Sequence, residues 1–398
     1  MHKFITDKFG RIVAWTLLLS AILQTYGWGK YDFAFVITVL LAIINLLRHG
    51  FHKEILPRYF FAFIVFWYMS HLVAGGSILH LGIIRVLLVY YLFFDTIDIT
   101  YFIKQYERVA MVCIIFFFVQ EISVRFTGTR IPGVFQFLPL AVATDSASYY
   151  LHMAEMSRSA SFFSEPAHFV QFLLPLLAVE VFFYQKIKVK WVIVICLTLL
   201  LLQSGNALFG MIAIFLVYMY TLHFKTKISY RIPLVLMVGV LVAGIGYFYL
   251  SSDMGQKLLD RKDTISLSDV EDRGYGGSGF MRISRGYYVF NEYSAFKKII
   301  GDDTSDYIDD AIRRSPVSMF FKDDDRYLNT IQTTLCYTGF VGLFLFVLMI
   351  IGLWKDSGIC GRAVLMTFIS LSFIAALFFS ESMAIYMLIP HCLKKNKL

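Results

Sequence analysis

PAHFVQFLLPLLAVEVFFYQKIKVKWVIVICLTLLLLQSGNALFGMIAIFLVYMYTLHFKTK, from Pro166 to Lys227, decides the class of fold. It holds three apolar runs, near 166–184, 190–203 and 206–222. Lys186, Lys188 and Lys190 separate the first two, the uncharged Ser204-Gly205-Asn206 separates the second from the third, and Lys225, Lys227 and Arg231 follow. A spanning helix needs roughly 20 mostly apolar residues, and Lys and Arg gather in loops on the cytoplasmic side. The stretch therefore predicts three successive membrane spans with alternately basic and bare connections.

The same pattern extends outward in both directions. Further apolar runs fall near 11–28, 31–47, 58–74, 78–95, 108–126, 232–250, 331–353 and 363–389. Arg48, Lys53 and Arg58 share one loop, Lys104 and Arg108 another, and Lys355 with Arg362 a third, all on the side of Lys3, Lys8 and Arg11. The opposite connections hold Lys30 alone or, at Ala74-Gly75-Gly76-Ser77, no charge. With the N-terminus cytoplasmic, the first run reads as a retained span and not a cleaved signal. Eleven spans would leave the basic tail Lys394-Lys395-Asn396-Lys397 outside. The last run is interrupted at Ser380-Glu381-Ser382, so two short helices there would give twelve spans or a re-entrant pair.

Composition agrees: 58% of the 398 residues are hydrophobic, 16% charged, and mean hydropathy is +0.67. Soluble chains are typically about 45–50% apolar and about 25% charged. A cytosolic enzyme, a disulfide scaffold and a disordered chain are thereby excluded. The net charge of +8 sits in loops between spans, which predicts a lipid bilayer as partner and no nucleic acid. The five cysteines show no metal-ligand spacing and read as reduced, structural thiols. The expected fold is all-α, a single polytopic domain over 1–398 of eleven or twelve spans, with no internal repeat.

Two long segments fall on the outer side. The first, 125–165, is only moderately polar and reads as lying along the membrane surface. The second, 251–330, is expected to hold short amphipathic helices; between Ser251 and Arg326 it carries twelve Lys or Arg against fifteen Asp or Glu. Val289, Tyr293, Phe296 and Ile300 recur there at helical spacing, predicting a helix around Tyr287–Ile300. Long loops of this kind tend to carry function.

Several constellations are candidates for chemistry. In Arg158-Ser-Ala-Ser-Phe-Phe-Ser-Glu165-Pro166-Ala-His168 a cation, a carboxylate and an imidazole precede a span. Pro166 suits the first helical position and Glu165 the positive end of the helix dipole; the group could equally bind an anion through Arg158 while Glu165 or His168 handles a proton. Arg85 stands within an apolar run, where a charge is costly, so it lines a substrate cavity or serves an ion pair. Glu121 and Arg125 are spaced to pair on one helix face. Arg282 and Arg285 could hold a diphosphate bidentately, or be surface charges among nearby acids. Gly274-Tyr-Gly276-Gly277-Ser-Gly279 follows a polar stretch and not a strand, which excludes a dinucleotide fold. Asp323-Asp324-Asp325 reads as a solvated acidic turn.

Taken together these residues resemble the O-antigen polymerase and O-antigen ligase superfamily of bacterial surface-polysaccharide synthesis. The resemblance rests on Arg158…Phe163-Ser-Glu165-Pro166 before a span, Leu202-Gln203-Ser204-Gly205-Asn206-Ala207 at a span's end, and Asn329 ten residues before Gly339-Phe-Val-Gly342. Arg282…Gly301 matches a further element. The ligases typically carry His directly before the loop-ending Asn; Leu328 stands there, preceded by Tyr327, which favours a polymerase. The resemblance implies a GT-C-like membrane glycosyltransferase in the bacterial inner membrane, facing the periplasm or cell exterior. Its substrate would be an oligosaccharide on undecaprenyl diphosphate, with a flippase and a chain-length regulator as partners. Arg158, Arg282, Arg285 and, more deeply, Arg85 would then stabilise the diphosphate, Glu165 or His168 would act as base, and Tyr327 and Asn329 would orient sugars. The scheme calls for no cofactor and no metal. A ligase, or a transporter or flippase for an anionic lipid-linked glycan, is the alternative.

Overall fold

The computed structural model describes residues 8–28, 31–50, 58–135, 137–140, 158–184, 187–225, 282–321, 327–377 and 381–393. The expected span at 232–250, the first part of the large loop with its glycine string, Asp323-Asp324-Asp325, and residues 141–157 lie outside the described residues. The chain is mostly helical. Among the described residues there are fourteen α-helices: α1 (Lys8–Leu23), α2 (Phe33–His49), α3 (Arg58–Val73), α4 (Leu81–Thr96), α5 (Ile99–Thr127), α6 (Pro166–Phe182), α7 (Val189–Leu201), α8 (Gly205–Lys225), α9 (Arg285–Asn291), α10 (Ala295–Ile300), α11 (Ser305–Arg314), α12 (Thr330–Asp356), α13 (Ile359–Ser372) and α14 (Glu381–Cys392). A two-stranded hairpin, β1 (Gly27–Trp28) with β2 (Tyr31–Asp32), joins α1 to α2.

Each described apolar run becomes a helix, and local chemistry sets the ends. Asp32 accepts the Phe35 N–H at 2.8 Å and so starts α2. Asp98 does the same for Thr100 and Tyr101, which starts α5 well before its apolar run. Gly128, at φ 71°, closes α5 in the left-handed conformation that glycine takes without strain. Two helices, α5 and α12, are long and apolar enough to cross a membrane; seven shorter apolar helices have 10–17 residues. The last run, 363–389, forms the two helices α13 and α14. They run antiparallel: the Gly358 N–H donates to the Leu393 carbonyl at 2.8 Å and Ser357 Oγ to the Pro390 carbonyl at 3.0 Å.

Helix α6 is buried on nearly every side, as its all-round apolar sequence requires. Pro175 within it lacks the N–H that would bond the Gln171 carbonyl. The Tyr386 hydroxyl of α14 donates to that carbonyl at 2.9 Å instead. The vacated backbone acceptor thus becomes a tie between distant helices.

Residues 285–321, with Tyr327 and Leu328, form a small cap. Val289, Phe290, Tyr293, Ala311, Val317 and Leu328 make an apolar cluster with Leu335 and Cys336 at the start of α12. The helix expected over Tyr287–Ile300 is two, α9 and α10, because Ser294 stops the run and caps α10 by accepting the Lys297 N–H. Helix α12 is bent at Gly339, whose φ is 63°. The reason is contact: the 299–301 backbone lies so close that a Cβ at Gly339 would meet the Ile299 oxygen at 2.4 Å, and one at Gly301 the Thr338 nitrogen at 2.3 Å.

Candidate functional site

The segment carrying Arg158, Glu165 and His168 is pinned from beneath. The Gln120 side chain accepts the Ser161 N–H at 2.8 Å and donates to the Ile131 carbonyl, while Ser161 Oγ donates to the Cys113 carbonyl at 2.7 Å. Arg130 Nε donates to Ser159 Oγ at 2.9 Å. Ser161 itself has φ 56°, a conformation uncommon outside glycine, and it is fully buried. Pro166 then opens α6 with Glu165 as its exposed N-cap, whose carboxylate makes no capping bond and stays available. One turn on, His168 Nδ1 lies 2.9 Å from Ser164 Oγ. Arg158 Nη1 donates to the Gln203 carbonyl at 2.8 Å, at the break before α8 where Gln203 has φ 48°.

The second half comes from the cap. The Arg282 guanidinium lies over the Tyr327 ring, 5.6 Å from its centroid. Arg285 is fully buried, stacks on Phe321 at 3.9 Å, and donates from Nη2 to the Tyr327 carbonyl at 2.7 Å. The Tyr327 hydroxyl donates to the Ile374 carbonyl at 3.1 Å and accepts the Ala376 N–H at 3.2 Å. Burial pushes its phenol up, against the pull of Arg282, so it is neutral at physiological pH.

The two halves lie within electrostatic reach of each other. Glu165 and Arg282 act on the charge of His168, and Arg282, Glu165 and Arg285 on that of Tyr327. A carboxylate, an imidazole, a phenol and two guanidiniums, from segments more than 110 residues apart, are thus brought near one another. Arg158, seven residues before Glu165 in the chain, is held instead by the Gln203 carbonyl. Arg85 is drawn elsewhere: its Nη1 pairs with Asp32 at 2.9 Å and its guanidinium covers Phe35. That is the ion-pair role among the two open to it.

Asn329 is scaffold. Fully buried at the N-cap of α12, it forms a capping box with Gln332 and donates from Nδ2 to the carbonyls of Arg282 at 2.9 Å and Phe373 at 2.8 Å. Asn329→Ala is expected to cost roughly 2–4 kcal/mol, the sum of a lost cap and two stranded carbonyls. A drop in thermal midpoint, measured on detergent-solubilised protein, checks this.

A second polar cluster escaped the sequence reading, because no spacing links its members. Asp303 accepts from His71 Nδ1 at 2.5 Å, His80 Nε2 at 3.0 Å and Trp67 Nε1 at 2.8 Å. Burial pushes its carboxyl up, but the bonds from His80, His71 and Trp67 outweigh it and hold the group below its ordinary value. A lowered folded value means a contribution that is present above the ordinary aspartate range and is lost as pH falls through the lowered one. The thermal midpoint should therefore step down below about pH 4 in the native protein and not in Asp303→Asn.

No family model matches this chain, and no curated protein matches it at a significant level.

Proposed function

We propose that the protein is a polytopic membrane glycosyltransferase that polymerises lipid-diphosphate-linked oligosaccharides at the outer face of a bacterial inner membrane. The observation that carries this reading is the electrostatic proximity of Glu165 and His168 to Arg282, Arg285 and Tyr327. The acceptor hydroxyl attacks the anomeric carbon of the donor's reducing-end sugar. The bond from that carbon to the diphosphate breaks, and the lipid diphosphate leaves with the electron pair. Negative charge on the departing oxygen is what preorganised guanidiniums stabilise best. Arg282, partly exposed, faces the diphosphate; Arg285, buried against Tyr327, holds the site's shape and adds to its positive potential. The hydroxyl's proton passes to Glu165 or His168, Ser164 holding Nδ1 so that Nε2 faces the reaction.

Contacts between loops support the topology read from the charges. With the N-terminus inside, Gln203, the α3–α4 turn and the 282–327 segment all fall outside. Arg158 meets Gln203, and Asp303 meets His71 and His80. On the inner side, Lys188 pairs with Glu107 at 2.8 Å. The antiparallel α13–α14 pair returns Leu393 to the side of Lys355 and Arg362, which suits twelve spans and the basic tail. Met111, Val112, Ile115, Val119 and Ile122 expose an apolar stripe along α5, a surface for lipid.

The test supplies the purified protein in detergent with a synthetic lipid-diphosphate repeat unit as sole substrate. A ladder spaced by one repeat is the expected product. Transfer only after a lipid-core acceptor is added would replace polymerase with ligase, and inertness of folded protein under both conditions would replace both with transport.

A further inference from the structure

We propose that His71, His80 and Asp303 form a binding site for a divalent cation of the zinc class. Their ligand atoms all lie within 4.8 Å of one another. Tetrahedral zinc with bonds of roughly 2.0–2.1 Å sets its ligands about 3.3 Å apart, so a cation fits between them with small side-chain rotations. Two imidazoles and one carboxylate are a donor set that zinc takes in open sites, and imidazole favours zinc and its neighbouring transition metals over magnesium and calcium.

The surroundings are those a metal site requires. A metal-bound histidine ordinarily gives its other N–H to a carbonyl, and a ligating carboxylate is itself hydrogen-bonded. His71 Nε2 lies 3.1 Å from the Ser77 carbonyl, and Trp67 Nε1 donates to Asp303 Oδ2 at 2.8 Å. The three ligands come from α3, the N-cap of α4 and the chain after Gly301, each held independently. Ser70 Oγ donates to the Ile300 carbonyl at 2.5 Å, and the Asp302 N–H donates to the Cys336 carbonyl at 2.9 Å. The His71 ring packs where a Cβ on Gly76 would lie 2.1 Å from it. The Asp303 side chain is 1% exposed and that of His80 18%, which leaves the His80 side open for a water as fourth ligand.

Protons balance as follows. His71 Nε2 faces the Ser77 carbonyl and keeps a proton there, which leaves Nδ1, beside Asp303, as the ligand atom; any proton on Nδ1 passes to solvent when the cation binds. His80 Nδ1 accepts the Ile83 N–H at 3.1 Å, so its proton is on Nε2. Coordination moves that proton to Nδ1 and gives up one capping bond, which weakens binding by roughly five- to tenfold. A three-ligand site tolerates that loss. The cation would staple the α3–α4 turn to the segment at 300–304.

The experiment uses the full chain in detergent, stripped with chelator, re-equilibrated with zinc chloride and dialysed. Metal content is read by mass spectrometry, with the thermal midpoint alongside. His80→Asn is the variant, because asparagine keeps an N-cap acceptor for α4 while removing the ligand. About one zinc per chain is expected, with a midpoint that rises on zinc and falls on chelation, and binding at least ~tenfold weaker in His80→Asn. Native protein that retains no zinc and shows no zinc-dependent shift would overturn the proposal, whatever the variant does. So would equal binding by the variant, since the zinc would then sit elsewhere.

Discussion

If the protein is the polymerase proposed above, Arg282→Ala is expected to reduce polymer formation about 100- to 1000-fold, the loss seen when one preorganised donor to a developing oxyanion is removed. The protein should nonetheless fold. Only the backbone carbonyl of Arg282 is used by Asn329, while its guanidinium rests on the Tyr327 face within electrostatic reach of His168. Truncation therefore removes charge and leaves the scaffold. Arg285→Ala makes the contrast, because its buried side chain stacks on Phe321 and bonds the Tyr327 carbonyl. It should lower both the product ladder and the thermal midpoint. Measured together on purified protein, the two readouts separate a group that meets substrate from one that holds shape. Full ladder synthesis by Arg282→Ala would remove the site assignment.

Gly339→Val is expected to cost about 3 kcal/mol or more, enough to deplete the folded protein from the membrane. Two effects add. A β-branched residue at φ 63° is a conformational outlier, and its Cβ would stand 2.4 Å from the Ile299 oxygen and 2.6 Å from the Gly301 nitrogen. Both obstacles are backbone and cannot swing aside. Gly128→Ala calibrates the first effect alone: its φ is 71° with nothing within 4 Å of the Cβ, and it should cost only about 1 kcal/mol. If the two variants, compared by thermal midpoint, lost the same stability, the close approach at Gly339 would be of no consequence.

Local signals in the chain reached far here, and their failures have a common cause. The apolar runs anticipated the described helices outside the 282–321 segment, and Pro166 and Asn329 marked the starts of α6 and α12, because each acts within a turn or two of itself. The pairing of Gly339 with Gly342 was visible as a motif, but not the reason for it, which is backbone from 299–301 lying alongside. Arg85 could not be assigned between a cavity and an ion pair, since Asp32 stands 53 residues away. The acidic partner of His71 and His80 is more than 220 residues distant, beyond any periodicity. Ser164 beside His168 was within reach, as a hydroxyl four residues before an imidazole on the opening turn of a helix. The candidate residues were legible as two separate groups; only the fold brings those groups within electrostatic reach of each other.

The bend at Gly339 makes α12 a lever with unequal arms. Nine residues before it, roughly 13 Å of helix, carry the cap; seventeen after it, roughly 25 Å, run along α3 and the core. Rotation about that fulcrum would displace the far end about twice as much as the near end.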